Sequence, residues 1–192
     1  MAPIIHLVRH AEGFHNLSRE NQQLLDPELT PAGKEQCKPL REQFPDHDKI
    51  THLVASPFRR TLHTCLLSFR PVVERGHRVV ALPDVQEVLT QPCDTGSDIE
   101  VLKAEFGDQV DYSLLMDGWN DKSSASKYEP TSEKLDARTR DARLWLRELA
   151  RSYGGGDAQI VLVTHGGILH FLTQDWDGMD LNRSAYWRST TH

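Results

Sequence analysis

The chain has little cysteine, no excess of basic charge and no long apolar run, and each shortage closes a class of function. Cys37, Cys65 and Cys93 are odd in number and lack the paired spacing of metal ligands, which argues against a disulfide framework and against a zinc site. All three read as reduced thiols. The formal net charge of −6 offers no basic stripe to nucleic acid and no attraction to an anionic membrane, so an anionic substrate must be met by local groups. No stretch approaches the length of a membrane span, and the segment from Met1 to His10 lacks the basic flank and long apolar run of a signal peptide. A cytoplasmic protein is expected.

What is present is ordinary globular composition, with 38% hydrophobic and 26% charged residues in 192, enough for one sizeable core. No internal repeat or linker interrupts it, so residues 1–192 are expected to form a single domain. Pro3 to Val8 is an Ile, Leu and Val run that breaks at Arg9-His10, the pattern of a buried strand ending in polar residues. Thr30-Pro31 marks a helix start, with the helix running to about Phe44 and Pro39 expected to kink or shorten it. Ile50 to Ala55 reads as a second strand and Ser56-Pro57 as the opening of a helix towards Phe69. Arg78 to Leu82 suits a third strand, and Asp98 can cap a helix that stops at Gly107. The polar stretch from Asp117 to Pro130 reads as a mobile insertion. Leu135, Leu144, Leu146 and Leu149 predict a long amphipathic helix from about Ser132 to Tyr153, stopped by Gly154-Gly155-Gly156. Gln159 to Val163 is a last apolar strand, leading through Thr164-His165-Gly166-Gly167 into a further helix. Strands alternating with helices predict an α/β fold with a largely parallel sheet, whose sites gather beyond the carboxyl ends of the strands. His10 and His165 both fall at such ends.

Three segments carry chemistry. Arg9-His10-Ala11-Glu12, with Asn16 downstream, brings a guanidinium, an imidazole and an amide into one turn. An arginine fork binds two phosphate oxygens at once, and a neutral imidazole can act as a nucleophile. Ser56 to Thr64, with Arg59 and Arg60, adds positive charge at a helix start, where amides and dipole favour an anion. Thr164-His165-Gly166-Gly167 adds a second histidine and glycines whose backbone N–H groups a ligand can approach closely. Taken alone, each also fits a bland role: a strand end, a solvated basic helix start, a buried structural histidine.

Together and in this order the segments resemble the histidine phosphatase superfamily, also called phosphoglycerate mutase-like, of branch 1 type, over nearly the whole chain. Arg9-His10-Ala11-Glu12 meets the family's first signature, Asn16 its downstream asparagine, and Asp26-Pro27-Glu28-Leu29-Thr30-Pro31-Ala32-Gly33, with Gln36, its Leu-Thr-x-x-Gly helix start. Ser56-Pro57 with Arg60 and Thr64 fits the second arginine motif, and Thr164-His165-Gly166-Gly167 the second histidine. The resemblance implies a three-layer α/β/α sandwich and a phosphatase acting on a small-molecule phosphate ester, with no metal and no cofactor. It implies His10 as nucleophile, Arg9, Asn16, Arg60, His165 and Gly166 as phosphate-binding groups, and Glu87, after the third strand, as proton donor. Burial among apolar neighbours would raise the pKa of Glu87. Glu12 is expected to support the turn beside the nucleophile. Gln91-Pro92-Cys93-Asp94-Thr95-Gly96-Ser97 resembles a stretch in fungal members; Cys93, Asp94 and Thr95 are expected to line the substrate, and Phe14 and His15 to border the pocket.

Three alternatives remain open: a mutase-type phosphoryl transfer, for which the chain looks short; a non-catalytic or repurposed relative that binds a phosphorylated ligand; and a histidine metalloenzyme, against which the ten histidines show no His-Glu-x-x-His spacing. Asn182 to His192 matches the family's last strand poorly, which puts that strand and one side of the pocket in doubt.

Overall fold

The computed structural model describes residues 2–154 and 156–176, and the backbone of Tyr186–Thr190. Its strands are β1 (Ile4–Arg9), β2 (His52–Ala55), β3 (Val79–Ala81), β4 (Val110–Asp111), β5 (Gln159–Thr164) and β6 (Tyr186–Thr190). The helices are α1 (Pro31–Gln43), α2 (Arg59–Ser68), α3 (Arg70–Glu74), α4 (Ile99–Phe106), α5 (Ser132–Ser152) and α6 (Gly166–Thr173). One six-stranded sheet forms in the order β4-β3-β2-β5-β1-β6, with every pairing parallel except that of β6, which runs antiparallel to β1. A last strand therefore stands where the sequence put one in doubt, although its neighbours in 177–185 lie outside the described residues.

Alternation along the central strands builds two cores. Val8, Leu53, Ala55, Val161 and Val163 face one side with Phe58, Leu62, Phe69, Leu102 and Phe106 from α2, α4 and the loops around them. Leu7, Val54, Ile160 and Leu162 face the other, under Leu135, Leu146 and Ala150 of α5 and Ile168, Leu169 and Leu172 of α6. A sheet apolar on both faces needs helices on both faces, which gives the three-layer sandwich. Leu144 is the exception on α5: at 48% exposed it points to solvent, outside the apolar stripe that Leu135 and Leu146 define.

Register brings the functional segments to one level. Arg9 pairs with Thr164 and Ala55 with Val163, so His10, His165 and Ser56 leave adjacent strands side by side. Backbone bonds extend the ladder one residue further, from His10 N–H to Thr164 C=O (2.9 Å) and from Ser56 N–H to Val163 C=O (2.9 Å). That extension explains why α2 starts at Arg59 and not at Ser56-Pro57: Ser56 still belongs to the sheet, and Phe58 is the N-cap.

The start of α1 is as read, with Thr30 Oγ1 accepting the Gly33 N–H at 2.9 Å. Pro39 neither ends nor shortens the helix, which continues to Gln43. Asp98 precedes α4 without capping it through its side chain; its carboxylate accepts instead from Asn120 Nδ2 (3.2 Å). The stretch from Asp117 to Pro130 is no loose insertion. Trp119 and Tyr128 are buried in the first core, and a Cβ on Gly96 would meet the Trp119 ring at 2.1 Å.

Gly33 lies in a helix, where Ala is ordinarily favoured by about 1 kcal/mol. A Cβ there would stand 2.0 Å from the Glu12 carbonyl oxygen, a backbone atom that cannot step aside. Gly33→Ala should therefore destabilise, by about 1–3 kcal/mol as an overpacked core site does. Urea unfolding checks this; an unchanged or raised midpoint would show that α1 does not pack this tightly on the Glu12 turn.

Candidate active site

β1 delivers His10, which is 6% exposed. Its Nδ1 lies 2.7 Å from the Ala11 carbonyl oxygen. A carbonyl only accepts, so Nδ1 carries the proton and Nε2 keeps its lone pair. Burial, then the positive charge of Arg60, hold the imidazole well below its ordinary pKa, with smaller contributions from His15 and Arg9. Ala11 N–H donates to Thr64 Oγ1 (3.1 Å) on α2, and Glu12 Oε1 accepts from Thr30 Oγ1 (2.6 Å), so the turn after β1 is tied to two helices.

β5 delivers His165, which is fully buried, and its tautomer is fixed in the opposite sense. Arg60 Nη2 donates to Nδ1 (3.2 Å), which leaves the proton on Nε2, bonded to Ser56 Oγ at 2.8 Å. Its pKa is lowered well below the usual range by burial and then by Arg60. The His10 and His165 rings meet edge to face, with centroids 5.2 Å apart.

Arg60, at 1% exposed, ties the pieces together. Nη1 donates to the Cys93 carbonyl (2.6 Å), Nη2 to Asp94 Oδ1 (3.2 Å), and the guanidinium carbon lies 4.8 Å from the centre of the Phe58 ring. Cys93 and Asp94, expected to line the substrate, are thus placed against Arg60. Both are buried, one turning its carbonyl and the other its carboxylate inward to Arg60, because a guanidinium taken out of water needs such partners. Thr95 is half-buried, its hydroxyl donating to the Gln91 carbonyl (3.4 Å). Burial, then the Asp94 carboxylate, raise the Cys93 thiol to about 11.

Glu87 reaches the site from beyond β3, but its surroundings are not the apolar ones expected. Oε1 accepts from Val88 N–H (2.9 Å) and Ile168 N–H (3.2 Å), and Oε2 from Gly167 N–H (3.3 Å). Its carboxylate sits on the first turn of α6, where unpaired amides and the helix dipole favour an anion. A Cβ on Gly167 would fall 2.6 Å from Glu87 Oε1, so this glycine admits the carboxylate, while the buried Gly166 opens the helix beside His165. The start of α2 is likewise filled from within: buried Asp26 accepts from Arg59 N–H (3.1 Å) through one oxygen and from Ser97 N–H (2.9 Å) through the other. Each helix start thus has amides taken by a carboxylate of the protein itself, Arg59 N–H by Asp26 and Gly167 and Ile168 N–H by Glu87.

Asn16 is exposed, its Oδ1 accepting the Gly13 N–H (2.9 Å), which places it at the cap of a short turn over Phe14–Asn16. Phe14, in the same turn, is also exposed. His15 is half-buried with its ring centroid 5.3 Å from that of His10, and burial, then Arg60 and Arg9, lower it to about 3. Arg9 acts on both imidazoles.

Sequence reasoning missed four groups. Ser56 orients His165, and its place at a strand end was the available signal. Asp26 carried none. Lys122 comes from the stretch read as mobile; its ammonium donates to the carbonyls of Glu87 (2.8 Å) and Leu89 (2.9 Å), and burial, then Arg138, lower it to about 7. Arg138 of α5 donates to the carbonyls of Asp84, Gln86 and Glu87, fixing the loop that carries the carboxylate. Among the described residues one cluster has metal-ligand spacing, Glu28, His63 and Glu105, and Arg59 is paired with both of its carboxylates. None of the three is a site residue above.

Comparison with known proteins bears on the family and the fold. The sequence model of the histidine phosphatase superfamily (branch 1) matches residues 5–192. Phosphoglycerate mutase-like protein 1 of Arabidopsis thaliana is 28% identical over 201 residues, spanning 86% of this chain and 68% of its own. Phosphoglycerate mutase-like protein 4 of the same plant is 26% identical over 172 residues, spanning 86% and 67%. The ecdysone phosphate phosphatase of Bombix mori, solved with tungstate, superposes with a TM-score of 0.63 at 15% identity over 95% of this chain and 82% of its own. A mycobacterial glucosyl-3-phosphoglycerate phosphatase, solved with VO3, gives a TM-score of 0.55 at 20% identity over 90% and 79%. At these identities the structural likeness speaks for the fold. With its sequence matched from residue 5 to residue 192, the chain belongs to branch 1 of the histidine phosphatase superfamily.

Proposed function

We propose that this protein is a phosphatase that hydrolyses a small-molecule phosphate monoester by way of a phosphohistidine on His10. The observation that carries the reading is the bond from His10 Nδ1 to the Ala11 carbonyl at 2.7 Å, which leaves Nε2 unprotonated in a pocket charged by arginines. An imidazole so held is a nucleophile without a separate base.

The ester would lie with phosphorus in line with His10 Nε2, its outer oxygens met by Arg9, Arg60 and the Nε2–H of His165, which a phosphate oxygen would take over from Ser56. Asn16 would contribute its amide from the adjoining turn. Phosphoryl transfer depends chiefly on alignment and on charge held ready for the transition state, and two arginines supply that charge in the proposed reaction. As Nε2 bonds to phosphorus, the bond to the ester oxygen breaks and Glu87, which must enter the step with a proton on Oε2 although its amide partners favour the anion, gives that oxygen the proton. In the second half-reaction Glu87 takes a proton from water, the water oxygen bonds to phosphorus and the P–N bond breaks, releasing inorganic phosphate. Oε2 of Glu87, with its single longer bond to Gly167, is the oxygen suited to this exchange. The named activities of the phosphatases of similar fold favour hydrolysis, and the mutase-like names of the sequence relatives set the alternative. Release of inorganic phosphate from a panel of monoesters in chelator separates the two.

In that assay His10→Ala should release no phosphate and form no labelled phosphoenzyme; a labelled adduct persisting in the variant would remove His10 from the reaction. Arg60→Lys keeps a cation but loses the fork, and should lower kcat/KM by about 10²–10³-fold, the usual cost of one well-placed donor, with the circular dichroism spectrum retained. Full activity in Arg60→Lys would place the transferring charge elsewhere.

The neutral imidazoles also make folding pH-dependent. His10 has a folded pKa below its unfolded value of about 6.5, so below that pH the unfolded chain binds more protons and stability falls, by up to about 1.4 kcal/mol per pH unit. Asp26 and Asp94, raised by burial, act in the opposite sense, so the His10 share is read as a difference. His10→Asn should lose less stability than the unmodified protein between pH 7.5 and 5.5 in denaturant titrations. Equal losses would mean that His10 is not held neutral.

A further inference from the structure

Five of the ten large apolar side chains that stand exposed among the described residues lie on two short segments. Phe14, Leu17, Leu24 and Leu25 belong to one and Leu89 to the other, each between 39% and 62% exposed. Both segments border the site. Phe14 precedes His15, whose ring lies 5.3 Å from that of His10, and Leu89 lies two residues beyond Glu87, where Lys122 holds the carbonyls of both. The first segment folds back on itself and reaches the second. Asn21 Nδ2 donates to the Phe14 carbonyl (2.8 Å), and the turn Glu20–Gln23 packs against Phe14–Asn16 on one side and Pro92–Asp94 on the other.

Exposed apolar side chains gathered on one part of a surface mark a place that something covers. The proposed reaction says what that is. Glu87 gives its proton to the ester oxygen, so the alcohol portion of the ester lies on the Glu87 side of phosphorus, where the chain next exposes Leu89. Charge is scarce there. Residues 88–97 hold one charged side chain, Asp94, and it is turned to Arg60. Residues 16–25 hold only Arg19 and Glu20, neighbours of opposite sign. Two hydrogens of the Lys122 ammonium are taken by the carbonyls of Glu87 and Leu89. These segments offer little to a second anionic group and five side chains to a hydrocarbon.

We propose that Phe14, Leu17, Leu24, Leu25 and Leu89 form an apolar rim to the site and take up the hydrocarbon portion of the substrate, which makes it the phosphate monoester of an apolar alcohol and not of a sugar or a hydroxy acid. This rests on the reading that the pocket holds the phosphoryl group of an ester. Binding removes water from side chains that stand half exposed, so each methylene that reaches the rim adds about two- to fourfold in affinity. The phosphoryl group is held by the same groups in every ester, and the rim chooses among the alcohols.

The n-alkylphosphonates from methyl to hexyl are the probes, since their P–C bond is not hydrolysed and the series varies only in apolar length. Calorimetric titration at a pH where all are dianions should show affinity rising about two- to fourfold per methylene. Leu24→Ser and Leu89→Ser, at exposed positions, should each lower the ratio of hexyl to methyl affinity by about threefold or more. Leu144→Ser, at an exposed leucine of α5, should leave that ratio unchanged. An affinity independent of chain length, or a rise undiminished in both rim variants, would overturn the rim while leaving the phosphate site intact. Sedimentation showing a dimer of the unmodified protein that is lost in Leu24→Ser would give these side chains to a second copy of the chain and overturn the proposal as well. No binding of any phosphonate by the unmodified protein would overturn it together with the phosphate reading.

Discussion

The burial of one guanidinium organises this site. Arg60 is almost wholly out of water, and an isolated cation there would cost several kcal/mol after relaxation, so its surroundings are arranged to answer it. The Cys93 carbonyl, the Asp94 carboxylate and His165 Nδ1 each take a bond, and the Phe58 ring lies against its face. The cost reappears as function. After burial, Arg60 is the largest charge acting on His10, His15 and His165, and the two together keep all three imidazoles neutral. The cation proposed to bind phosphate and the uncharged imidazole proposed as nucleophile are thus two results of one placement.

The sheet supplies the precision this placement needs. Because β1, β5 and β2 are neighbours in parallel register, the residues just past their ends stand on one line, which is why Ser56, His165 and His10 meet although more than a hundred residues separate the first from the second. The two helix starts nearest that line are occupied by the protein's own carboxylates, Asp26 at α2 and Glu87 at α6. Amides that might have held a ligand instead fix the segments bearing Arg60 and the proposed acid.

Much of this could be read from the chain. Apolar runs ending in Arg9-His10 and in Thr164-His165 marked strands whose ends carry chemistry, and Thr30-Pro31 marked its helix to within a residue. The rest depended on contacts distant in sequence. Nothing local tells Cys93-Asp94 as a substrate loop from Cys93-Asp94 as the partner of a buried arginine, since both need a turn there. Ser56-Pro57 looked like a helix start because register, which holds Ser56 in the sheet, is not visible along the chain. Lys122 sits in a polar, turn-rich stretch, and composition alone reads such a stretch as solvated; the burial of Trp119 and Tyr128 that anchors it is a tertiary fact. Glu87 was found by its place after the third strand, but its bonds to Gly167 and Ile168 come from a segment eighty residues on.

The account stands on the protonation of one ring. Nitrogen chemical shifts of His10, in protein labelled at histidine, report directly which nitrogen carries the proton and whether the ring is charged. The predicted result at pH 6–7 is a neutral ring protonated at Nδ1, with Nε2 showing the shift of an unprotonated nitrogen. A charged ring, or a neutral one protonated at Nε2, would mean that His10 presents no lone pair to phosphorus and would contradict the central claim.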